Sequence, residues 1–256
     1  MLKYVIIIPL LLLACLLSIN CDHGKKQSIV FPDSTTFIKY QLDWQKNFYL
    51  TRIKEFKDSP IGDNKVVFLG NSITYGLRRW SSNFGTENNV NRGISGDISN
   101  GILKRLEEII FYKPIAVFIL VGINDFFDDN SSRPERNSEY VASNILLAAK
   151  TIKSGSPETK IYIQTILPIN NQQYLDDKPH YQFLRPNYPS INDQINRTNK
   201  IISKNNDFEI IDLHHHFLNK DNEMARELST DGLHLNNQGY HEWIEILKPF
   251  IETINE

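Results

Sequence analysis

Ser72 stands where an apolar run stops, in the stretch VVFLGNSITYG at residues 66–76. The run of valine, phenylalanine and leucine predicts a buried strand, and the glycine and asparagine that follow predict a turn. A serine at a strand-to-helix turn has its hydroxyl at the sheet edge and its N–H at a helix N-terminus. That position suits a nucleophile which is also a donor to a developing oxyanion.

Asp231 and His234 lie three residues apart in the segment DGLH. The serine hydroxyl needs a base, and a histidine is suited to that task near neutral pH. Asp231 is close enough in sequence to reach back and hold the imidazole in one tautomer. Gly232 allows the backbone between them to turn.

Gly93 and Asn124 are two further candidate donors. Gly93 offers an N–H with no side chain in the way, and Asn124 offers a side-chain amide. With the N–H of Ser72, they predict an oxyanion hole. Each signal alone has a simpler reading as a helix cap, a tight turn or a surface turn. Their occurrence after successive predicted strands favours a shared site instead.

The elements that position these residues alternate along the chain. Short β-branched runs predict strands at 65–69, 90–92, 115–121, 160–165 and 208–213. Apolar residues at helical spacing predict helices at 36–57, 98–112, 138–153, 190–205 and 238–254. The strands lack polar alternation and most are followed by helices, which indicates an α/β fold with a five-stranded parallel sheet in a three-layer α/β/α sandwich. Ligands bind beyond the carboxyl ends of such strands.

Four blocks of the chain resemble the conserved blocks of the SGNH (GDSL-type) hydrolases, in family order: GNSI at 70–73, NRGISGD at 91–97, GIND at 122–125 and DGLH at 231–234. The resemblance implies a flavodoxin-like SGNH fold in which Ser72 is the nucleophile, His234 the base and Asp231 its orienting partner. It also implies that Ser72, Gly93 and Asn124 form the oxyanion hole. The departure is Asn71, where the family usually has aspartate.

A finer similarity connects the chain with exported bacterial acetylesterases that act on sugars, often described as sialate O-acetylesterase-like, and with the platelet-activating-factor acetylhydrolase type. We therefore predict a serine esterase that releases a short acyl group, above all acetate, from a carbohydrate or small-molecule ester. The alternatives are a lipid esterase of the lysophospholipase or acetylhydrolase type and, from another class, a carbohydrate-binding module without turnover. The complete set of five site residues argues against the last.

Four residues are candidate substrate contacts: Asn71, Trp80, Tyr174 and Tyr181. Trp80 follows the nucleophile and is a candidate wall for the acyl group, or a core residue. The tyrosines lie in a long segment at 168–189 and are candidates for stacking on a sugar, or for packing of the loop on itself. His214, His215 and His216 lack a completing ligand set, so we expect no metal and no cofactor.

The N-terminus reads as an export leader. A basic start is followed by an uncharged, almost wholly apolar run at 4–19. Cys21 is the preferred site of lipid attachment, with Cys15 as the alternative; an ordinary cleaved signal or an uncleaved anchor remains open. We therefore predict a leader at 1–21, a linker at 22–35 and the catalytic domain at 36–256, exported to the bacterial cell envelope.

The charge balance argues against nucleic acid as a partner. The 256 residues carry a formal net charge of −2, which gives no basic surface for nucleic acid or for an anionic membrane. Membrane association is expected only through the lipid anchor. The oligomeric state is left open.

Overall fold

The computed structural model describes residues 30–77, 81–84, 88–127, 135–179 and 189–255. Trp80, Tyr181, Cys15 and Cys21 lie outside the described residues. Within the described ranges, no helix combines the length and apolarity that a membrane crossing needs.

Five parallel strands form one sheet in the order β2-β1-β3-β4-β5, which is the flavodoxin-like order. The strands are β1 (Val66–Gly70), β2 (Asn89–Gly93), β3 (Ala116–Leu120), β4 (Lys160–Gln164) and β5 (Glu209–Ile211). All five lie within two residues of their predicted bounds. β1 pairs with both β2 and β3, so the strand order reverses beside it, and this is where ligands bind in such sheets.

Eight α-helices connect and cover the strands: α1 (Asp43–Asp58), α2 (Ser72–Leu77), α3 (Ser99–Leu103), α4 (Glu107–Tyr112), α5 (Ser138–Gly155), α6 (Asn171–Asp177), α7 (Ile191–Ile202) and α8 (Asn237–Asn255) among the residues described. Alternate residues of β1 enter different cores. Val67 and Leu69 pack with α3, α4, α5 and α7, whereas Val66 and Phe68 pack with α2 and α8. The two cores on opposite faces confirm the three-layer architecture.

The N-terminal helix is shorter than predicted. α1 begins at Asp43, because Tyr40 adopts a left-handed φ of +70° and Leu42 is extended. Ile38 is nevertheless buried against α1, so its apolar spacing reflects core packing rather than helix. Val30 and Phe31, within the predicted linker, belong to the same cluster.

The helix predicted at 98–112 is divided into α3 and α4. Between them, the buried guanidinium of Arg105 donates to Asp97 Oδ2 at 2.9 Å, to Arg92 O at 2.7 Å and to Gly70 O at 2.9 Å. These bonds connect the carboxyl ends of β1 and β2. Local periodicity cannot reveal the break, because its cause is contact with residues distant in sequence.

The long segment at 168–189 was predicted to be irregular, but it contains α6. The side chain of Asn170 caps this helix by accepting from Gln173 N at 2.9 Å. The remaining tyrosine-rich part, 180–188, falls outside the described residues. α6 carries Tyr174 towards the ends of the central strands.

Candidate active site

Ser72 is the first residue of α2, two residues after β1 ends. Asn71 precedes the helix, and its Oδ1 accepts from Ile73 N at 3.0 Å, so its side chain caps the first turn. Asn71 is 1% exposed. This corrects its assignment as a substrate contact, because a buried amide that caps the helix cannot reach a ligand in the cavity.

The segment from Asp231 to His234 forms a tight turn. His234 Nε2 lies 3.1 Å from Ser72 Oγ, and His234 Nδ1 lies 2.8 Å from Asp231 Oδ2. Asp231 Oδ1 accepts from the backbone N–H groups of Leu233, at 3.0 Å, and His234, at 2.7 Å. Gly232 has a φ of +84°, which a side chain would make strained. The three predicted residues are therefore brought into one hydrogen-bonded chain.

The Asp231 carboxyl is held in its ionised form. Burial alone would raise its pKa, but the hydrogen bond and charge of the His234 side chain and the backbone N–H bonds outweigh that effect. The pKa of Asp231 therefore lies well below its usual range. A carboxylate that stays charged is suited to stabilising an imidazolium formed beside it.

Gly93 lies at the end of β2, against α2, and its N–H is already hydrogen-bonded within the protein. Its N–H donates to Asn91 Oδ1 at 2.9 Å, and Asn91 Nδ2 donates to Thr74 O at 2.6 Å. A Cβ at Gly93 would lie 2.2 Å from Tyr75 N. Gly93 therefore allows α2 to pack closely on β2, and its assignment as an oxyanion donor is corrected.

Gly96, three residues later in the same block, faces the cavity beside Ser72. Asn124 also lines this cavity, and its Nδ2 donates one hydrogen to Asp97 O at 2.9 Å. An amide nitrogen carries two hydrogens. This bond therefore fixes the orientation of the Asn124 side chain while a second N–H remains for a ligand.

Ser72, Ser95 and His234 lie at the junction of two cavities. The first, of about 520 Å³, we call the aromatic lobe; besides these residues its lining comprises Leu42, Trp44, Gln45, Gly96, Asn124, Phe127, Arg136, Tyr174 and Leu233. The second, of about 810 Å³, we call the polar lobe; its lining includes Tyr75, Gly76, Thr230, Asn236, Asn237, Gln238 and Tyr240. A bound ester can therefore extend from Ser72 in two directions.

The outcome for the aromatic candidates is divided. Tyr174 lies in the aromatic lobe as a buried side chain, whereas Trp80 and Tyr181 lie outside the described residues. Sequence analysis missed Trp44, which is 58% exposed on α1 and lies over Gly96. In the sequence, Trp44 stands outside the apolar spacing of the predicted helix, which runs through Leu42, Tyr49 and Ile53, and this was the signal for it.

The three consecutive histidines have separate partners. His214 Nδ1 lies 2.8 Å from Ile166 O, His215 pairs with Asp212, and His216 lies 3.7 Å from Glu242. In the part of the chain that the structure describes, no three His, Cys, Asp or Glu side chains are grouped as metal ligands.

The geometry is suited to transferring a proton from a hydroxyl to an imidazole whose far nitrogen is held by a carboxylate.

Comparison of the chain with known protein families also indicates a hydrolase. The profile of the GDSL-like lipase/acylhydrolase family matches residues 68–242. No curated protein matches the chain at a significant level.

Solved structures share the fold. A GDSL-like lipase from Bacteroides thetaiotaomicron is 25% identical, with a TM-score of 0.59 over 74% of this chain and 88% of that one. A lipase/acylhydrolase from Enterococcus faecalis is 20% identical, with a TM-score of 0.52 over 74% and 96% of the two chains. An acetyl xylan esterase is 21% identical, with a TM-score of 0.53 over 73% and 98%. The chain belongs to the GDSL-like lipase/acylhydrolase family and is a carboxylic ester hydrolase.

Proposed function

We propose that this hydrolase removes short acyl groups, above all acetyl, from carbohydrate esters through a Ser72–His234–Asp231 triad. The observation that carries the mechanism is the hydrogen-bonded chain from Ser72 Oγ to His234 Nε2 at 3.1 Å and from His234 Nδ1 to Asp231 Oδ2 at 2.8 Å. Both distances are within the reach required of a nucleophile, its base and the group that orients the base.

Acyl transfer then proceeds in two stages. Ser72 Oγ attacks the ester carbon while His234 Nε2 takes the hydroxyl proton, and the resulting imidazolium returns that proton to the leaving alcohol. Water next attacks the acyl-enzyme while His234 Nε2 takes a proton from it. The bond between the acyl carbon and Ser72 Oγ then breaks, His234 returns the proton to Ser72 Oγ, and the acid is released. Asp231 keeps its charge throughout and stabilises the imidazolium.

The negative charge on the carbonyl oxygen needs donors on the side of the aromatic lobe. We assign them as the N–H groups of Ser72 and Gly96 and the Nδ2 of Asn124. This assignment replaces Gly93 by Gly96, and it is supported by the positions of Gly96 and Asn124 in the cavity wall with Ser72. Donors fixed before the reaction favour the transition state over the bound ester.

Asn124→Ala is expected to lower kcat by about 10²- to 10³-fold, because one oxyanion donor is lost. KM should change little, since the donor acts on charge that develops only in the transition state. Steady-state kinetics on p-nitrophenyl acetate measure both constants. A loss confined to KM would show that Asn124 binds the ground state and is no oxyanion donor.

The substrate assignment is supported by the mixture of groups in both lobes. Trp44 offers an exposed aromatic face in the aromatic lobe, and the exposed side chains of Thr230, Asn237 and Gln238 offer polar groups in the polar lobe. Such a mixture is suited to a sugar ring, whose apolar face stacks while its hydroxyl groups form hydrogen bonds. A long hydrocarbon chain would cover these polar groups without replacing their hydrogen bonds. The fold shared with an acetyl xylan esterase makes acetylated sugars the first substrates to test.

A panel of p-nitrophenyl esters and acetylated sugars tests this proposal. We expect kcat/KM to be highest for acetyl and propionyl esters and to fall for octanoyl and longer chains, because those desolvate the polar lining. Acetate should also be released from acetylated mono- or oligosaccharides. Higher kcat/KM on long-chain esters would favour the lipid esterase, and an absence of turnover across the panel would favour the binding module.

The Trp44→Ala variant distinguishes binding of the sugar from binding of the acyl group. We expect about a tenfold higher KM on an acetylated sugar, in line with the loss of one stacking face, and an unchanged KM on ethyl acetate. Phe37→Ala is the matched control, because Phe37 is 77% exposed and does not line the cavity. Equal losses on both substrates would show that Trp44 supports the site rather than the sugar.

A further inference from the structure

Lys178 lies against the carboxylate that orients the proposed base. Its Nζ is 3.2 Å from Asp231 Oδ2, the oxygen that also accepts from His234 Nδ1 at 2.8 Å. Asp231 Oδ1 is already bonded to two backbone N–H groups. Both oxygens of this carboxylate are therefore held by two donors each, and only one of those four donors is a fixed positive charge.

The lysine is held in place by its own neighbours. Lys178 is the C-cap residue of α6, its Nζ lies 4.3 Å from the centre of the Tyr174 ring, and Asp177 Oδ2 is 2.6 Å away. Burial would lower the pKa of Lys178, but hydrogen bonds to Asp177 and Asp231 outweigh it and raise the pKa. The ammonium group is therefore charged at any pH where the enzyme is assayed.

We propose that Lys178 is a positioning residue which shares Asp231 with His234 and keeps His234 neutral to lower pH, so that the esterase stays active on the acid side. This inference rests on the proposed function of His234 as base. The ammonium group stabilises the Asp231 carboxylate but repels a proton on the imidazole beyond it. Transfer of the Ser72 proton requires the neutral imidazole, so the acid limb of kcat/KM lies at lower pH than it would without Lys178.

Other titratable groups also face this site. In the described chain, α6 brings Tyr174 and Asp177 towards Asp231, and Tyr75 and Tyr240 line the polar lobe with His234. Asp177 opposes Lys178, because its negative charge favours a proton on the imidazole. Burial raises the pKa of Tyr174, so this phenol stays neutral. Arg136 is a second cation and lines the aromatic lobe with His234, where its charge acts on the buried carboxyl of Asp125. Lys178 is the cation in contact with Asp231, so its removal is the change expected to move the limb.

The test is the pH profile of kcat/KM for wild type, Lys178→Met, Lys178→Arg and Lys150→Met at low ionic strength. In Lys178→Met, the acid limb should move to higher pH by about half a unit, as expected for one partly exposed charge near the imidazole. Activity below the limb then falls by about threefold, while the plateau changes little. Lys178→Arg should keep the wild-type limb. Lys150→Met is the matched control, because Lys150 is an exposed lysine near the C-terminal end of α5 and pairs with Asp207.

A second measurement varies the salt concentration for wild type and Lys178→Met. Added salt screens exposed charges, so the wild-type limb should move towards that of Lys178→Met, whereas the limb of Lys178→Met should move less. If Lys178 only tethers α6, Lys178→Met will lower the melting temperature or raise KM and leave the limb in place, which overturns the proposal. A wild-type profile without an acid limb would remove His234 as base and this inference with it. A limb that is present but insensitive to Lys178 would remove only the inference.

Discussion

Ser72→Ala is expected to lower kcat/KM by about 10⁴-fold or more while the protein stays folded. Removing the nucleophile of a serine hydrolase leaves only binding and oxyanion stabilisation, which act weakly without the covalent step. The Ser72 side chain points to His234 Nε2 rather than into either apolar core. Its loss therefore leaves no cavity in the core, and the melting temperature should change little.

Covalent labelling checks the same assignment without a substrate. A fluorophosphonate reacts with an activated serine, so mass spectrometry should show one adduct on wild type and none on Ser72→Ala. Ser203→Ala is the matched control, because Ser203 is an exposed serine just after α7 and should keep both activity and label. Residual activity within tenfold of wild type, or a label that survives in Ser72→Ala, would exclude Ser72 as the nucleophile.

The sheet could be predicted from sequence because its signal is local. The run ending at Leu69 is apolar on both faces of β1, and one residue separates its predicted and observed ends. The break between α3 and α4 could not be predicted, since Arg105 causes it by reaching Gly70 and Arg92. No proline or glycine stands between α3 and α4 to indicate the break in the sequence.

The candidate site was predictable where its residues sit in short motifs, Ser72 just after β1 and Asp231 and His234 in the turn before α8. The choice between Gly93 and Gly96 could not be predicted, because it depends on which glycine lines the cavity and on the bond from Gly93 N to Asn91 Oδ1. Trp44 and Lys178 come from α1 and the end of α6, and tertiary packing alone brings them to Ser72 and Asp231. A single sequence gives no indication that a residue outside a recognised motif lies at the site.

Substitution of Asp231 should affect both rate and stability, each with a characteristic pH dependence. Asp231→Asn is expected to lower the plateau of kcat/KM by about 10³- to 10⁴-fold, because the amide cannot stabilise the imidazolium and favours the wrong tautomer. The folded-state pKa of Asp231 is lowered, so its ionisation contributes stability above the unfolded value of 3.8 and loses it as pH falls through the folded value. The part of the difference in unfolding free energy between wild type and Asp231→Asn that comes from this ionisation should therefore be fully present above about pH 5 and shrink below about pH 4.

The pH profile of His234→Ala then decides which group is the base. Asp231 remains ionised above about pH 4, because its pKa is lowered, so an acid limb of kcat/KM between about pH 5 and 8 cannot come from that carboxyl. If His234 accepts the Ser72 proton, wild type should rise through such a limb and level off, whereas His234→Ala should lose about 10⁴-fold or more and show no limb. The measurement is kcat/KM for p-nitrophenyl acetate from about pH 5 to 9 in buffers of constant ionic strength. A wild-type profile that is flat over this range, or an acid limb that persists in His234→Ala, would assign the proton transfer to another group.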